Sequence, residues 1–330
     1  MQVVITGGTG FLGLALARRL TGLAGLTGVS GRAEAIDEIV LFDRTVPDAP
    51  PSGLDRRARL VADDVTDRQA VEALIDDDDV AVFHLASVVS AGAERDFDLA
   101  MGVNLDGGRN VLEAVRRRAG VPRVVFASSI ATFGGTLPDV VSDSTKHTPQ
   151  TTYGMTKVIG ELMINDYSRK RFIDGRTARL PTVIVRPGKP NAAASSFASG
   201  VFREPLDGAP CVLPVTVETR VAVIGLRTCV DGLITLYEVD GAALGPDRAV
   251  NLPALTVSVA EMMEAVGKVA AERGRDLGPI TVVPDPDVQR IVDSWPARTE
   301  AGRARALGLS GDEGLERIVS DYIDDFLAQP

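Results

Sequence analysis

Cysteine is scarce in this 330-residue chain. There are two, Cys211 and Cys229, at no spacing that suggests a metal site. A disulfide framework is therefore not expected, and both read as small core residues of a protein kept in reducing cytosol. Histidine is equally rare, with only His84 and His147. Two histidines and two scattered cysteines leave little for a zinc site, so no metal is expected. No stretch approaches the ~20 apolar residues of a membrane span. The opening MQVVITGGTG has no charged segment leading into a long apolar run, so no secretory signal is expected and the protein reads as soluble and cytoplasmic. Positive charge is also short: 35 Lys and Arg stand against 45 Asp and Glu, a formal net charge of −10. That balance argues against nucleic acid as a partner. An anionic substrate would need a local basic pocket.

What is present is ordinary for a globular protein, with 45% hydrophobic and 24% charged residues, and the length suffices for one or two domains. The first half alternates short β-branched runs with helical patterns. The runs are Val3–Thr6, Ile39–Asp43, Ala58–Asp64, Val80–Ser87, Arg123–Ser129 and Thr182–Gly188, with GFLGLALARRL, DRQAVEALID and NLDGGRNVLEAVRRR between them. Apolar runs without polar alternation are strands covered on both faces. The pattern predicts an α/β fold, a doubly wound parallel sheet of Rossmann type, spanning residues 1–188. Residues 189–330 read mainly as a smaller C-terminal substrate domain, with the chain returning to the first domain around 221–252. That region predicts a helix over Thr228–Val239, a strand at Ala249–Leu252, a helix over Ser258–Arg273, a strand at Ile280–Val283 and a terminal helix over Gly314–Leu327. GKPNAAASSFASG and REPLDGAPCVLP read as loops and turns. The glycine-rich Thr21–Glu34 reads as a flexible surface excursion, and Asp76–Asp79 as a solvated turn.

VVITGGTGFLG follows a strand and opens a helix. Gly7 can make the tight turn, Gly10 lets the backbone approach a pyrophosphate, and Gly13 lets the helix pack closely on the sheet. The strand–turn–helix context predicts dinucleotide binding. Asp43 ends the second strand, where a carboxylate can accept from ribose hydroxyls and repel a 2′-phosphate. This favours NAD over NADP, although Arg44 beside it could greet a phosphate. Asp64 and Val65 end the third strand near the expected adenine edge. Leu85, Ala86 and Ser87 end the fourth, beside the pyrophosphate and ribose. His84 reads as a satisfied strand-end histidine.

TTYGMTK puts Tyr153 four residues ahead of Lys157, on one helix face. It follows FASSIATFG, a strand end that carries Ser128 and Ser129. Strand C-termini face the ligand crevice in such sheets, so a serine there and a Tyr–Lys pair can converge on a nicotinamide. Oxidising a secondary alcohol requires loss of its hydroxyl proton. Tyrosinate is a suitable base, but free tyrosine has a pKa of about 10, and lowering it by ~3 units takes ~4 kcal/mol of differential electrostatics. A lysine ammonium and a positive nicotinamide ring can supply this. Tyr153 is assigned as acid/base, Lys157 as its charge partner and Ser129 as the group that orients the substrate oxygen.

Together TGGTGFLG, Asp64-Val65, FHLAS, NLDGGRNVLEA, FASSIATFG, YGMTK and VRPG resemble the extended short-chain dehydrogenase/reductases, the NAD-dependent epimerase/dehydratase group, over essentially the whole chain. The resemblance implies that Gly7, Gly10, Phe11, Leu12 and Gly13 line the dinucleotide, that Asn104 sits near it and that Gly188 lies near the nicotinamide. It also places Ser129 rather than Ser128 at the catalytic serine. Phe133 departs from the tyrosine many members carry, Pro187–Pro190 replaces a longer polar run, and Ile130-Ala131 lacks the acidic residue of a sugar dehydratase. From VVSDSTKHTPQ to GVFREPL the chain is similar to a branch acting on four-carbon sugar acids. That likeness implies NAD-dependent oxidation of D-erythronate at C2. A small carboxylate then needs a cation: Arg220, Lys189 and the Arg298 region are candidates, Arg220 first. Ser90, in the Ser87–Ser90 loop, and the Thr132 hydroxyl could meet sugar hydroxyls. His147 reads as a solvated loop residue and Trp295 as a packing residue.

Two other readings compete. A nucleotide-sugar epimerase would use the same residues without net cofactor reduction. A non-catalytic dinucleotide sensor would not need Ser129, Tyr153 and Lys157 together. In this group the Tyr–Lys helix and the helix before it often form a homodimer interface, and VIGELMINDY has apolar positions that could serve either that interface or the core.

Overall fold

A computed structural model describes residues 1–189 and 194–327. The strands are β1 (Gln2–Thr6), β2 (Gly25–Thr27), β3 (Ala33–Ala35), β4 (Glu38–Asp43), β5 (Ala58–Ala62), β6 (Val80–His84), β7 (Arg123–Ser129), β8 (Asp174–Leu180), β9 (Thr182–Ile184), β10 (Cys211–Leu213), β11 (Arg220–Gly225), β12 (Ala249–Asn251), β13 (Leu255–Ser258) and β14 (Ile280–Val282). The helices are α1 (Phe11–Thr21), α2 (Arg68–Leu74), α3 (Ser90–Arg95), α4 (Phe97–Ala100), α5 (Gly108–Arg116), α6 (Thr152–Arg169), α7 (Phe197–Leu206), α8 (Leu226–Glu238), α9 (Gly241–Leu244), α10 (Val259–Glu272), α11 (Pro286–Asp293), α12 (Gly302–Ala306) and α13 (Leu315–Phe326). Contacts divide the chain into a first unit of Met1–Thr132, Pro149–Arg179 and Val230–Val250, and a second of Phe133–Thr148, Leu180–Cys229 and Asn251 onward.

The first unit is built on a seven-stranded sheet of order β12-β8-β7-β6-β1-β4-β5. Every residue of QVVIT and VAVFH is buried, as expected of strands covered on both faces. β1 runs parallel to β4 on one side and to β6 on the other, with Thr6 opposite Phe42 and His84. The chain fills the β4–β5 side first and then crosses to β6 and β7. The reversal at β1 opens a crevice at the strand C-termini, where such sheets bind ligands. Val40, Phe42, Val82, Val111, Val124 and Phe126 belong to the core of this unit.

Several sequence expectations change here. Thr21–Glu34 is a docked hairpin, not a flexible loop: β2 pairs antiparallel with β3, Thr27 opposite Ala33. Tyr237 Oη donates to Thr27 O at 2.6 Å, and Val29 N donates to Asp79 Oδ1 at 3.0 Å. The acidic run is accordingly not merely a solvated turn, since Asp78 also accepts from Ala119 N at 2.8 Å. Carboxylates next to a strand start satisfy backbone donors that would otherwise lack partners. DGRTARL, unremarkable as sequence, forms strand β8, next to the β12 edge of the sheet, with Arg176 and Arg179 almost fully buried.

In the second unit β9 leaves the long sheet expected for Thr182–Gly188 and pairs with β11, which pairs in turn with β13. β10 and β14 form a separate parallel pair. The stretch read as loops contains α7, whose Phe197, Val201 and Phe202 are buried with Leu213, Val223, Met262 and Ile318 in this unit's core. Burial on nearly every face of this helix overrides the small and turn-prone residues there. Part of the GKPN expectation, residues 190–193, lies outside the described residues. Trp295 packs, partly buried, against this core. Among the described residues no helix is long and apolar enough to cross a membrane.

Candidate active site

The glycine turn between β1 and α1 has the shape a pyrophosphate requires. Gly7 has φ +68°, and a Cβ there would stand 2.9 Å from Ala86 N. A Cβ on Gly13 would overlap Gly7 O. Gly10 begins α1 with no side-chain cap and no acidic residue in the first turn, the arrangement a helix end needs to hold an anion. Phe11 and Leu12 are its first two residues. The residues fit a dinucleotide phosphate on this turn.

At the end of β4, Asp43 Oδ2 accepts from Thr9 N at 3.1 Å and Oδ1 from Arg44 N at 2.8 Å. The carboxylate is thus braced against the glycine turn with acceptor capacity left for ribose hydroxyls. Asp64 Oδ1 accepts from Thr66 N at 2.9 Å and Thr66 Oγ1 at 2.8 Å, and these bonds hold its carboxyl below the usual range. Its side chain shapes the turn around buried Val65, and its backbone is used there too, Asp64 N donating to Asp63 Oδ1 at 2.8 Å and Asp64 O accepting from Asp67 N at 2.9 Å.

The extension of β6 is tied down on both sides. Leu85 N donates to Thr6 O at 3.1 Å and Ala86 N to Thr6 Oγ1 at 3.3 Å. Asn104 is spent on the same loop: Oδ1 accepts from Val88 N at 2.7 Å and Ser87 Oγ at 3.1 Å, while Nδ2 donates to Val88 O at 3.0 Å and Thr156 Oγ1 at 3.1 Å. Asn104 therefore joins the loop after β6 to the helix carrying Lys157. His84 Nδ1 lies 2.7 Å from Thr6 Oγ1, and burial lowers its pKa to about 3, so the ring is neutral. Among the described residues its Nε2 has no hydrogen-bonding partner.

Ser129 ends β7, and Tyr153 and Lys157 lie in the first two turns of α6. Thr151 caps that helix, its side chain accepting from Gly154 N at 3.0 Å. Ser129 Oγ accepts from Ala131 N at 3.1 Å and is hydrogen-bonded to Tyr153. Lys157, 3% exposed, donates from Nζ to Ala127 O at 2.7 Å. Its Nζ lies 4.8 Å from the Phe126 ring centroid and 5.5 Å from that of Tyr153. Burial lowers Lys157 to about 7, with Glu161 pulling the other way. Burial raises Tyr153 above its ordinary value, and the Ser129 bond acts against it. The expected tyrosinate is thus not favoured by the protein alone: desolvation disfavours the charged form of both residues.

Ser128, by contrast, is 1% exposed and donates to Glu161 Oε1 at 2.5 Å. The Thr132 hydroxyl, expected to meet substrate, is fully buried and donates to Ser129 O at 2.9 Å. It shapes the serine turn instead. Ser90 opens α3, half-buried. These residues all belong to the first unit. In the second unit, Gly188 has φ +84° and Lys189 is exposed. Arg220, at the start of β11, is 53% exposed with its guanidinium 3.7 Å from Glu261. Arg298 donates to Asp139 at 2.7 Å. His147 is not a solvated loop residue, because it stacks on Phe133 at 4.9 Å between centroids. Sequence reasoning missed Thr6, Glu161 and Arg179. For Glu161 a signal existed, a carboxylate four residues past Lys157 on the same helix face.

Comparison with known proteins matches these features to a family. The model of the NAD dependent epimerase/dehydratase family matches residues 3–238. The chain belongs to the NAD-dependent epimerase/dehydratase family. It is 48% identical over 326 residues to D-erythronate dehydrogenase of Cupriavidus necator, with 98% of each chain covered. It is 40% identical over 324 residues to D-erythronate dehydrogenase of Haemophilus influenzae, covering 98% of this chain and 99% of that one. Among solved structures, a nucleoside-diphosphate-sugar epimerase from Agrobacterium tumefaciens superimposes with a TM-score of 0.91 at 38% identity, covering 100% of this chain and 95% of the other.

Proposed function

We propose that the protein is a dehydrogenase that uses NAD to oxidise the C2 hydroxyl of D-erythronate, giving 2-dehydro-D-erythronate. The observation that carries this reading is the cluster in the first unit, with Ser129 hydrogen-bonded to Tyr153 and the Lys157 ammonium buried one helical turn away. The near-full-length likeness to two D-erythronate dehydrogenases supports the substrate.

The first unit is the NAD-binding domain, and the second mainly binds substrate. Gly7, Gly10 and Gly13 take the pyrophosphate, Asp43 the adenosine ribose, and Lys157 the nicotinamide ribose. Bound NAD supplies the hydride acceptor for C2 and a positive ring that favours tyrosinate. Tyr153 takes the hydroxyl proton as the carbonyl forms, and the proton passes on to solvent. Ser129 holds the substrate oxygen in line with Tyr153. Lys157 balances the phenolate charge, and its burial strengthens that balance because the intervening medium is poorly polarisable. Arg220 and Lys189 are the proposed carboxylate holders, and Ser90 a hydroxyl contact. A cytosolic homodimer acting on a small anionic sugar acid is consistent with this reading.

The test is NADH absorbance with purified protein, NAD and a panel of four- to six-carbon sugar acids, with nucleotide sugars in parallel. NADH growth with D-erythronate that disappears in Tyr153→Phe is the expected result. Isomerised nucleotide sugar without net NADH would replace this reading by an epimerase, the activity named for the Agrobacterium relative.

A further inference from the structure

A buried carboxylate that the reaction does not use directly lies one turn beyond Lys157. Glu161 is 3% exposed. It is shared by both elements that carry the catalytic cluster. Ser128 Oγ, on β7 immediately before Ser129, donates to Glu161 Oε1 at 2.5 Å. From β8, Arg179 donates through Nε to both carboxylate oxygens at 3.1 Å and through a terminal nitrogen to Oε2 at 2.8 Å. Arg179 is 2% exposed. A two-pronged bond of this kind fixes orientation as well as charge.

We propose that Glu161 is a positioning residue for the dehydrogenase: its carboxylate staples α6 to β7 and β8, setting Lys157 and Ser129 in register, and supplies the negative charge that keeps the buried Lys157 a cation. The inference rests on the reading of Ser129, Tyr153 and Lys157 as the reacting cluster. Burying two charges is unfavourable unless both are fully hydrogen-bonded, and an apolar pair of similar volume often serves stability as well. An ion pair kept here under the Tyr–Lys helix therefore has a use beyond holding the fold. Lys157 sits in a site that disfavours its charge, and Glu161 is the group opposing that effect. The other titratable groups around it do not substitute. Tyr153 on the same helix is a neutral phenol, and the His84 ring on β6 is neutral. Arg179 on β8 is paired with Glu161 itself. Glu94 on α3 accepts from Thr152 N at 2.8 Å, at the start of the helix.

The experiment is titration of Lys157 by NMR of protein carrying ¹³C-labelled lysine, with the signal assigned through Lys157→Met. This readout is independent of turnover. In Glu161→Gln the Lys157 midpoint is expected to fall by about one pH unit. The rise of kcat with pH should move to higher pH, and kcat at neutral pH should drop about tenfold with a smaller change in KM. Glu161→Asp should restore the midpoint more fully than kcat, because its shorter reach keeps the charge and loses the Ser128 bond. Glu161→Gln leaves Arg179 without its Glu161 partner, so the double variant Glu161→Met, Arg179→Met provides a folded form without the pair, and a smaller fall in midpoint is expected because the Arg179 positive charge goes with it. An unchanged Lys157 midpoint in either variant overturns the proposal. If wild-type protein forms no NADH while the midpoint falls as expected, the dehydrogenase reading fails and the electrostatic role of Glu161 stands.

Discussion

The two units handle charge in opposite ways. In the first, the ionisable side chains around the reacting cluster are buried and tied: Lys157 to Ala127 O, Glu161 to Ser128 and Arg179, and His84 to Thr6. In the second, the cations offered to a substrate carboxylate are exposed, and two of them lean on acids of their own unit, Arg220 on Glu261 and Arg298 on Asp139. A charge held in a poorly polarisable interior acts strongly and cannot easily move, whereas an exposed one is screened and adaptable. Proton transfer needs the first kind of environment, and discrimination among small sugar acids can be changed cheaply with the second. Substitutions in the first unit should consequently alter rate, cofactor use or acid stability. Those in the second should alter KM.

The sharpest break of this contrast is Tyr153→Phe. Removing the phenolic hydroxyl should lower kcat for D-erythronate by about a thousandfold, with NAD affinity, read by calorimetry, little changed. An active Tyr153→Phe enzyme would remove the first unit's claim on the chemistry.

The next effect is on stability. His84 stays neutral in the folded chain down to about pH 3, against 6.5 for an unperturbed ring. Between those values the unfolded chain holds a proton that the folded chain refuses. Stability is therefore full above 6.5 and is lost as pH falls through that window, by up to about 5 kcal/mol. Urea melts between pH 7 and pH 4 should show this slope, flattened in His84→Gln. An equal slope in the variant would assign acid sensitivity elsewhere.

Gly7→Ala should weaken NAD about tenfold or more, since the left-handed turn and the close approach to Ala86 both oppose a Cβ. Asp43→Asn should lower NAD affinity by about tenfold through loss of a charge-assisted bond and narrow the preference over NADP. Competition binding with both cofactors measures the two. The smallest change is expected for Arg220→Ala, with KM for D-erythronate raised severalfold, kcat nearly kept and stability within about 0.5 kcal/mol. An unchanged KM would move the carboxylate to Lys189.

Much of the first unit was legible from local pattern. VVIT, IVLFD and VAVFH are apolar on both faces, and only a doubly covered strand satisfies that. The glycine spacing and the Tyr153–Lys157 interval are short-range geometry, so they could be read without knowing the fold. DGRTARL could not be read this way, because its two arginines look like surface residues until Asp174 and Glu161 reach them. α7 was hidden for a related reason: its helical state depends on a core assembled from residues distant in sequence.

Residue spacing alone therefore sufficed to read the nucleotide-binding architecture and the family likeness, and it nominated Ser129, Tyr153 and Lys157 as the reacting trio. Tertiary structure alone decided that Ser128 is spent on Glu161, that Thr132 is spent within its own turn, and that a carboxylate four residues past Lys157 grips two strands. Spacing records which side chains share a helix or strand face. Burial, and with it the protonation of Lys157 and His84, is a property of everything packed around them.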